Sequence, residues 1–219
     1  MNIVVIGSSG HARSVLDSIE LAGHFRVVGV VDDYRAIGEK AGSRVVLGAV
    51  GDLPKLVSIH QLKGFIVAIG DNFARAAVTS KVQSLCPELD LVYAVHPRAI
   101  VAQETVIGAG TVVLAGAVIA PGCVIGTGCI INTVASIDHD SSMHEFASLA
   151  PRVVTGGNCQ IGAFAAVGIG AVLSHRIGVG AHSVIGAGAV VLRSVEPFSV
   201  CYGTPARHIR VRVAGEKYL

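Results

Sequence analysis

The second half of the chain is written in steps of six. From Val101, every sixth residue through Ile107, Val113, Ile119 and on to Val191 is aliphatic or Met, with Thr155 the one exception among sixteen. Four residues further along runs a second, mostly small column: Thr111, Ala117, Cys123, Cys129, Ala135 and onward to Val195. No helix produces such a column, because six residues advance a helix by well over one and a half turns. A repeat of six predicts a parallel β-helix. Each short strand stacks on its equivalent one coil on, and the aliphatic side chains form ladders inside a prism. The phase holds from 101 to 191, so no long loop is expected to interrupt the coil.

The first ninety residues follow another pattern. "NIVVIG" reads as a buried strand, followed by the loop "SSGH" and a helical pattern "ARSVLDSIELAG". "FRVVGVVDD" is a second strand ending in Asp32 and Asp33, and "GFIVAIGDN" a third, leading into a helix from about Phe73 to Cys86. Strand–helix alternation predicts a parallel sheet with ligands at the carboxyl ends of its strands. Gly7 and Gly10 flank a turn at a helix N-terminus, where backbone N–H groups receive phosphate. The full G-x-G-x-x-G fingerprint is absent, so the turn alone is compatible with a purely structural role. Asp32 and Asp33 stand where a carboxylate can meet a ribose or base, or can simply be solvated.

Composition narrows the classes. Lys+Arg 17 against Asp+Glu 15 gives a net charge of +2, which makes no electrostatic case for nucleic acid. A mean hydropathy of +0.65 and an uncharged run from 106 to 137 raise the question of a membrane span. Six glycines between 108 and 128, Pro121 and the six-residue period argue against one. Five cysteines, at 86, 123, 129, 159 and 201, form no C-x-x-C pair and predict free thiols in a reducing, cytoplasmic compartment. Three of them fall in the small column, as compact apolar residues. The N-terminal "MNIVVIGSSGHA" lacks the features of a signal peptide and is expected to be a strand and loop.

One stretch breaks the apolar monotony: in "INTVASIDHDSSMHEF", Asp138, His139, Asp140, His144 and Glu145 arrive within eight positions. His139 lies two residues after the inward Ile137 and so sits away from the aliphatic column. Eighteen residues on is Gly157, and eighteen more reach His175. The space above His139 is expected to lack a side chain and to expose a backbone N–H.

Residues 97–207 resemble the left-handed β-helix acyltransferases, the hexapeptide-repeat family. With "GSSGHAR", "VDD" and "AIGDNFAR" in front, nearly the whole chain resembles one subgroup. It comprises the nucleotide-sugar N-acetyltransferases and their sialic acid O-acetyltransferase-like relatives. The resemblance implies a Rossmann-like α/β domain over 1–95, then a left-handed β-helix over 96–219 ending in a segment that closes on coenzyme A. It implies Gly7, Ser8, Gly10, His11, Asp32, Asp33 and Asn72 as contacts to a nucleotide-linked amino sugar. It makes His139 a general base oriented by Asp140, or by Asp138, with Asn132 as a positioning group. Gly157, Ile169, Gly170, Gly188, Gly203, Pro205 and Arg207 are implied contacts to acetyl-CoA, with His208 and Arg210 adding positive charge; no metal is implied.

A homotrimer is expected, because the flat sides of one prism need covering. The activity the resemblance implies is acetyl-CoA-dependent N-acetylation of the amine of a nucleotide-linked amino sugar, with a 4-amino-4,6-dideoxy sugar for surface glycans the expected acceptor. Two departures touch the site: Ser148 stands where the family often has a second His, and His144 where it often has Gly. Three alternatives stay open at this point: a sugar O-acetyltransferase, a non-catalytic sugar-binding module, and a β-helix carbonic anhydrase-like metalloenzyme. The last needs a third His, and two coils below His139 lies Gln103.

Overall fold

The computed structural model describes residues 1–218. The front of the chain builds β1 (Asn2–Ile6), α1 (Gly10–Ala22), β2 (Arg26–Val31), β3 (Lys40–Ala41), β4 (Arg44–Gly48), α2 (Leu53–His60), β5 (Gly64–Val67), α3 (Asn72–Leu85) and β6 (Asp90–Leu91). The sheet order is β3-β4-β2-β1-β5-β6, parallel except for the β3–β4 pair. Its strands are apolar runs because helices cover both faces. On α1, Ala12, Val15, Leu16 and Ile19 recur at helical spacing and are all buried against the sheet. Helix α3 starts one residue before the expected Phe73, because the Asp71 side chain caps it by accepting from the Ala74 N–H at 2.8 Å.

The chain passes directly from this sheet into the coil. Ala94–Val95 pairs with Val112–Val113, which pairs in turn with Ile130–Ile131. The partners are eighteen residues apart, so three hexads make one turn of a three-sided prism, a left-handed β-helix. Each side is one sheet, containing the strands at 112, 118 or 124 and their equivalents one coil on. The aliphatic and small columns face inward, and Ile119, Ile125, Ile131, Cys123, Cys129 and Cys159 are almost wholly buried. All five cysteines are free. A hairpin of Ser199–Gly203 and Ala206–Val211 ends the coil. No helix is long and apolar enough to cross a membrane.

Arg75 fastens the two parts. It is 1% exposed and faces five acceptors and no carboxylate: Ile69 O, Gly70 O and Asn72 Oδ1 on its own side, Gly128 O and Phe146 O on the coil. Burial lowers its pKa to about 10, so the guanidinium remains charged at neutral pH. Asn72 lies beside it. Its Nδ2 donates to Phe164 O and Ala165 O, and its backbone N–H to the Tyr218 hydroxyl at 3.1 Å. The Arg212 guanidinium lies over the Tyr218 ring, 5.4 Å from its centroid, so the C-terminal segment straps the same junction.

Candidate functional site

Two places gather the chemistry. The first is the crevice where strand order reverses about β1, between the loop after β1 and the loop after β5. Gly7 turns the chain there at φ +103°; a Cβ would lie 3.0 Å from Ala68 O, so only glycine fits. Ser8 is buried and donates to Asp32 Oδ2 at 2.5 Å, while Asp32 Oδ1 accepts from the Tyr34 N–H. Asp33 accepts from the Val50 N–H at 2.7 Å and lies 3.5 Å from Lys81 Nζ. The space beside Gly10 is open. His11 Nε2 is sealed from solvent yet has no hydrogen-bond partner. Burial first, and the nearby Arg75 charge second, push its pKa down to about 4, so His11 is neutral at physiological pH.

His11 and Gly70 open into a groove of about 520 Å³ between the α/β domain and one side of the prism. Ala150, Gly168, Gly186 and Tyr202 form the coil wall, and Tyr218 closes it. Asn132 and Ile169 line the same groove. Asn72 does not: its side chain is engaged at the domain junction, by Phe164 O, Ala165 O and Arg75. Gly70 and Tyr218 are groove residues the sequence reading missed. Gly70 had a signal in its place after a strand; Tyr218 had none.

The second place is the corner of the prism that carries His139. Its Nδ1 lies 2.8 Å from Asp140 Oδ2, and both side chains are more than half exposed. Asp140 adopts φ +56° at the corner, which turns its carboxylate back to the neighbouring ring. The hydrogen bond to Asp140, with the Asp138 and Asp140 charges, raises the His139 pKa above the ordinary imidazole value. Asp138 is not a second ring partner: its Oδ1 accepts from the His139 backbone N–H at 2.8 Å. A Cβ on Gly157 would lie 2.5 Å from His139 Nε2, so the imidazole occupies the space left by the missing side chain.

The backbone N–H expected to be exposed at Gly157 is not free. It donates to His175 Nδ1 at 3.0 Å, the His175 ring reaching it from one coil further on.

The remaining candidates stand at another corner. Asn132 precedes the strand Ser136–Ile137 and His139 follows it, so one chain holds the two residues at opposite ends of that strand. Ile169, Gly170 and Gly188 share the corner of Asn132, with Gly188 N–H donating to Ile169 O at 2.8 Å. Gly170 and Gly188 have open space where a side chain would be. Gly203, Pro205 and Arg207 lie exposed in the terminal hairpin. Arg210, expected to offer free charge, is paired with Glu216 at 2.6 Å. Among the described residues no three His, Cys, Asp or Glu side chains are grouped to hold a metal ion.

A hexapeptide β-helix with a His–Asp pair at its corner, preceded by a doubly wound α/β domain, defines a class of transferase. The comparisons agree. The model of the PglD N-terminal domain matches residues 2–82, and that of the bacterial transferase hexapeptide (six repeats) matches 104–133. The chain is similar to a histidine-to-alanine mutant of GDP-perosamine N-acetyltransferase from Caulobacter crescentus, solved with CoA and GDP-perosamine. Identity is 32% over 96% of this chain and 97% of that one, at a TM-score of 0.89. PerB from the same organism, with the same two ligands, is 33% identical over 96% and 98%, at 0.88. The acetyltransferase domain of PglB from Neisseria gonorrhoeae FA1090 is 31% identical over 95% and 99%, at 0.87. No curated protein matches the chain. The chain belongs to the hexapeptide-repeat nucleotide-sugar N-acetyltransferases.

Proposed function

We propose that the protein transfers the acetyl group of acetyl-CoA to the amine of a nucleotide-linked amino sugar. The sugar is a 4-amino-4,6-dideoxy sugar destined for surface glycans, and the reaction takes place in the cytoplasm. One observation carries the mechanism: His139 is held through Nδ1 by Asp140, while Nε2 faces the side-chain-free Gly157. As the amine attacks the thioester carbon, a C–N bond forms and the C–S bond breaks. His139 Nε2 takes the proton the amine sheds and returns it to the departing sulfur. Asp140 stabilises the imidazolium between those steps. The Gly157 N–H donates to the carbonyl oxygen as negative charge develops there, once His175 releases it.

The nucleotide occupies the crevice at Gly7, Ser8, Gly10 and His11, with Asp32 and Asp33 at its rim. The adjoining groove carries the sugar along the coil. Acetyl-CoA lies on the open backbone of Gly170 and Gly188 beside Ile169, with its phosphates toward Gly203, Pro205 and Arg207. One chain separates that corner from His139, which is the argument for a homotrimer whose sites form where the corners of adjacent chains meet. Exposed Ile100, Val154 and Val172 on one side of the prism, and Val106 and Val124 on the next, supply apolar surface for such contacts.

The test is a panel of nucleotide-linked amino and hydroxy sugars assayed for acetyl-CoA-dependent thiol release. Turnover is expected with a 4-amino sugar. Turnover confined to hydroxyl acceptors would make the protein an O-acetyltransferase, and sugar binding with no thiol release a binding module.

A further inference from the structure

The one polar residue in the aliphatic column stands next to a break in the coil ladder. On the side of the prism that leads to His139, the residue after each strand donates its N–H to a backbone carbonyl one coil on. Ala102 bonds to Ile119 O, Ala120 to Ile137 O, Gly156 to Leu173 O and Ser174 to Val191 O. Asp138 breaks the series: its N–H goes to the Thr155 side-chain hydroxyl at 3.1 Å. The strand pairing loses a rung at the same point. Ser136 pairs with Val154, but Ile137 and Thr155 form no pair, whereas the other adjacent two-residue strands of the coil pair at both positions. Thr155 is 3% exposed, so its hydroxyl is a fixture of the interior.

We propose that Thr155 is a positioning residue for the catalytic turn: its hydroxyl draws the Asp138 N–H off the regular ladder and so sets the backbone from which His139 projects. The rest of the turn is fixed around that bond. Asp138 Oδ1 accepts from the His139 N–H, Asp138 O accepts from Cys123 Sγ, and Asp140 N–H donates to Pro121 O. Replacing the hydroxyl by a methyl frees the Asp138 N–H to take the carbonyl of residue 155, as its equivalents do. That moves the start of the turn and with it the imidazole. Misplacement of a catalytic group by about 1 Å can cost about 10²-fold in rate. A valine also matches the other fifteen members of the column, so the change need not weaken the fold.

The inference rests on His139 acting as the base, and the experiment separates the two. Thr155→Val, Thr155→Ala, Thr155→Ser and His139→Ala are compared for kcat with both substrates saturating, for acetyl-CoA KM and for melting temperature. Thr155→Val is expected to melt no lower than the parent, to keep its acetyl-CoA KM, and to lose about 10- to 100-fold in kcat. Thr155→Ala should lose kcat likewise, and covers the case in which valine does not fold. Thr155→Ser, which keeps the hydroxyl, should recover most of the loss. Parental kcat in Thr155→Val or Thr155→Ala, with His139→Ala inactive, overturns the role of Thr155 alone. A Thr155→Ser as slow as Thr155→Val overturns it too, since volume rather than the hydroxyl would then matter. Parental kcat in His139→Ala removes the base on which the inference rests.

Discussion

His139 is controlled by its immediate neighbours. The Asp140 hydrogen bond favours the imidazolium, so the folded-state pKa lies above that of the unfolded chain. The stabilisation is therefore present below the unfolded value and lost as pH rises through the folded one. For the proposed role of His139 as general base the sign reverses, because a base works only when deprotonated. Activity should rise with pH through the His139 pKa, and Asp140→Asn should move that acidic limb of kcat/KM to lower pH while lowering kcat. A limb that stays in place in Asp140→Asn would assign it to another group.

His175 presents the opposite case, a side chain occupying the Gly157 N–H that the proposed reaction uses as a donor. Removing it in His175→Ala should lower the acetyl-CoA Kd by about 2- to 10-fold, the worth of one net hydrogen bond. Affinity for CoA, which has no thioester carbonyl, should not change; equal changes for both would make His175 a general groove residue. The bare space at Gly157 was legible eighteen positions after His139, but the claim on its N–H was not, because spacing places a ring without fixing its rotamer.

At the scale of elements, the coil needed little beyond its period. A strict phase over sixteen hexads leaves one register, since any slip would turn an aliphatic ladder out to water. The two helices expected in the α/β domain were legible from apolar spacing, whereas nothing in the sequence reading anticipated β3, β4 or α2. The junction was least visible. Arg75 looks like an ordinary helical arginine in "NFARAA", and Asn72 like a ligand residue, because the carbonyls that engage them come from residues 53 to 93 positions away. Arg75→Met should cost about 3–5 kcal/mol, because it strands buried carbonyls on both sides of the junction. Thermal or urea unfolding checks this, and a loss below about 1 kcal/mol would mean the two parts are held chiefly by apolar contact.

On the scale of the whole molecule, the candidate residues divide between two corners of the prism. His139 and Gly157 stand at one; Asn132, Ile169, Gly170 and Gly188 stand at another. The family resemblance groups Asn132 with His139, but the seven-residue step between them carries the chain along one side of the prism to the next corner. A site using both sets therefore requires neighbouring chains. Light scattering at micromolar concentration should report three chains per particle, and a monomer with full activity would rule out shared sites.

The central claim, that a His–Asp pair on a β-helix corner drives acetyl transfer, is tested most directly by single-residue replacement of His139. The measurement is kcat for thiol release with acetyl-CoA and an accepted nucleotide amino sugar both saturating, in His139→Ala and His139→Asn. Each should fall by about 10²–10⁴-fold, the range for a positioned acid–base group, with acetyl-CoA binding little changed. Near-parental turnover in both variants would contradict the account, leaving an acceptor amine that arrives already neutral and needs no base from the protein.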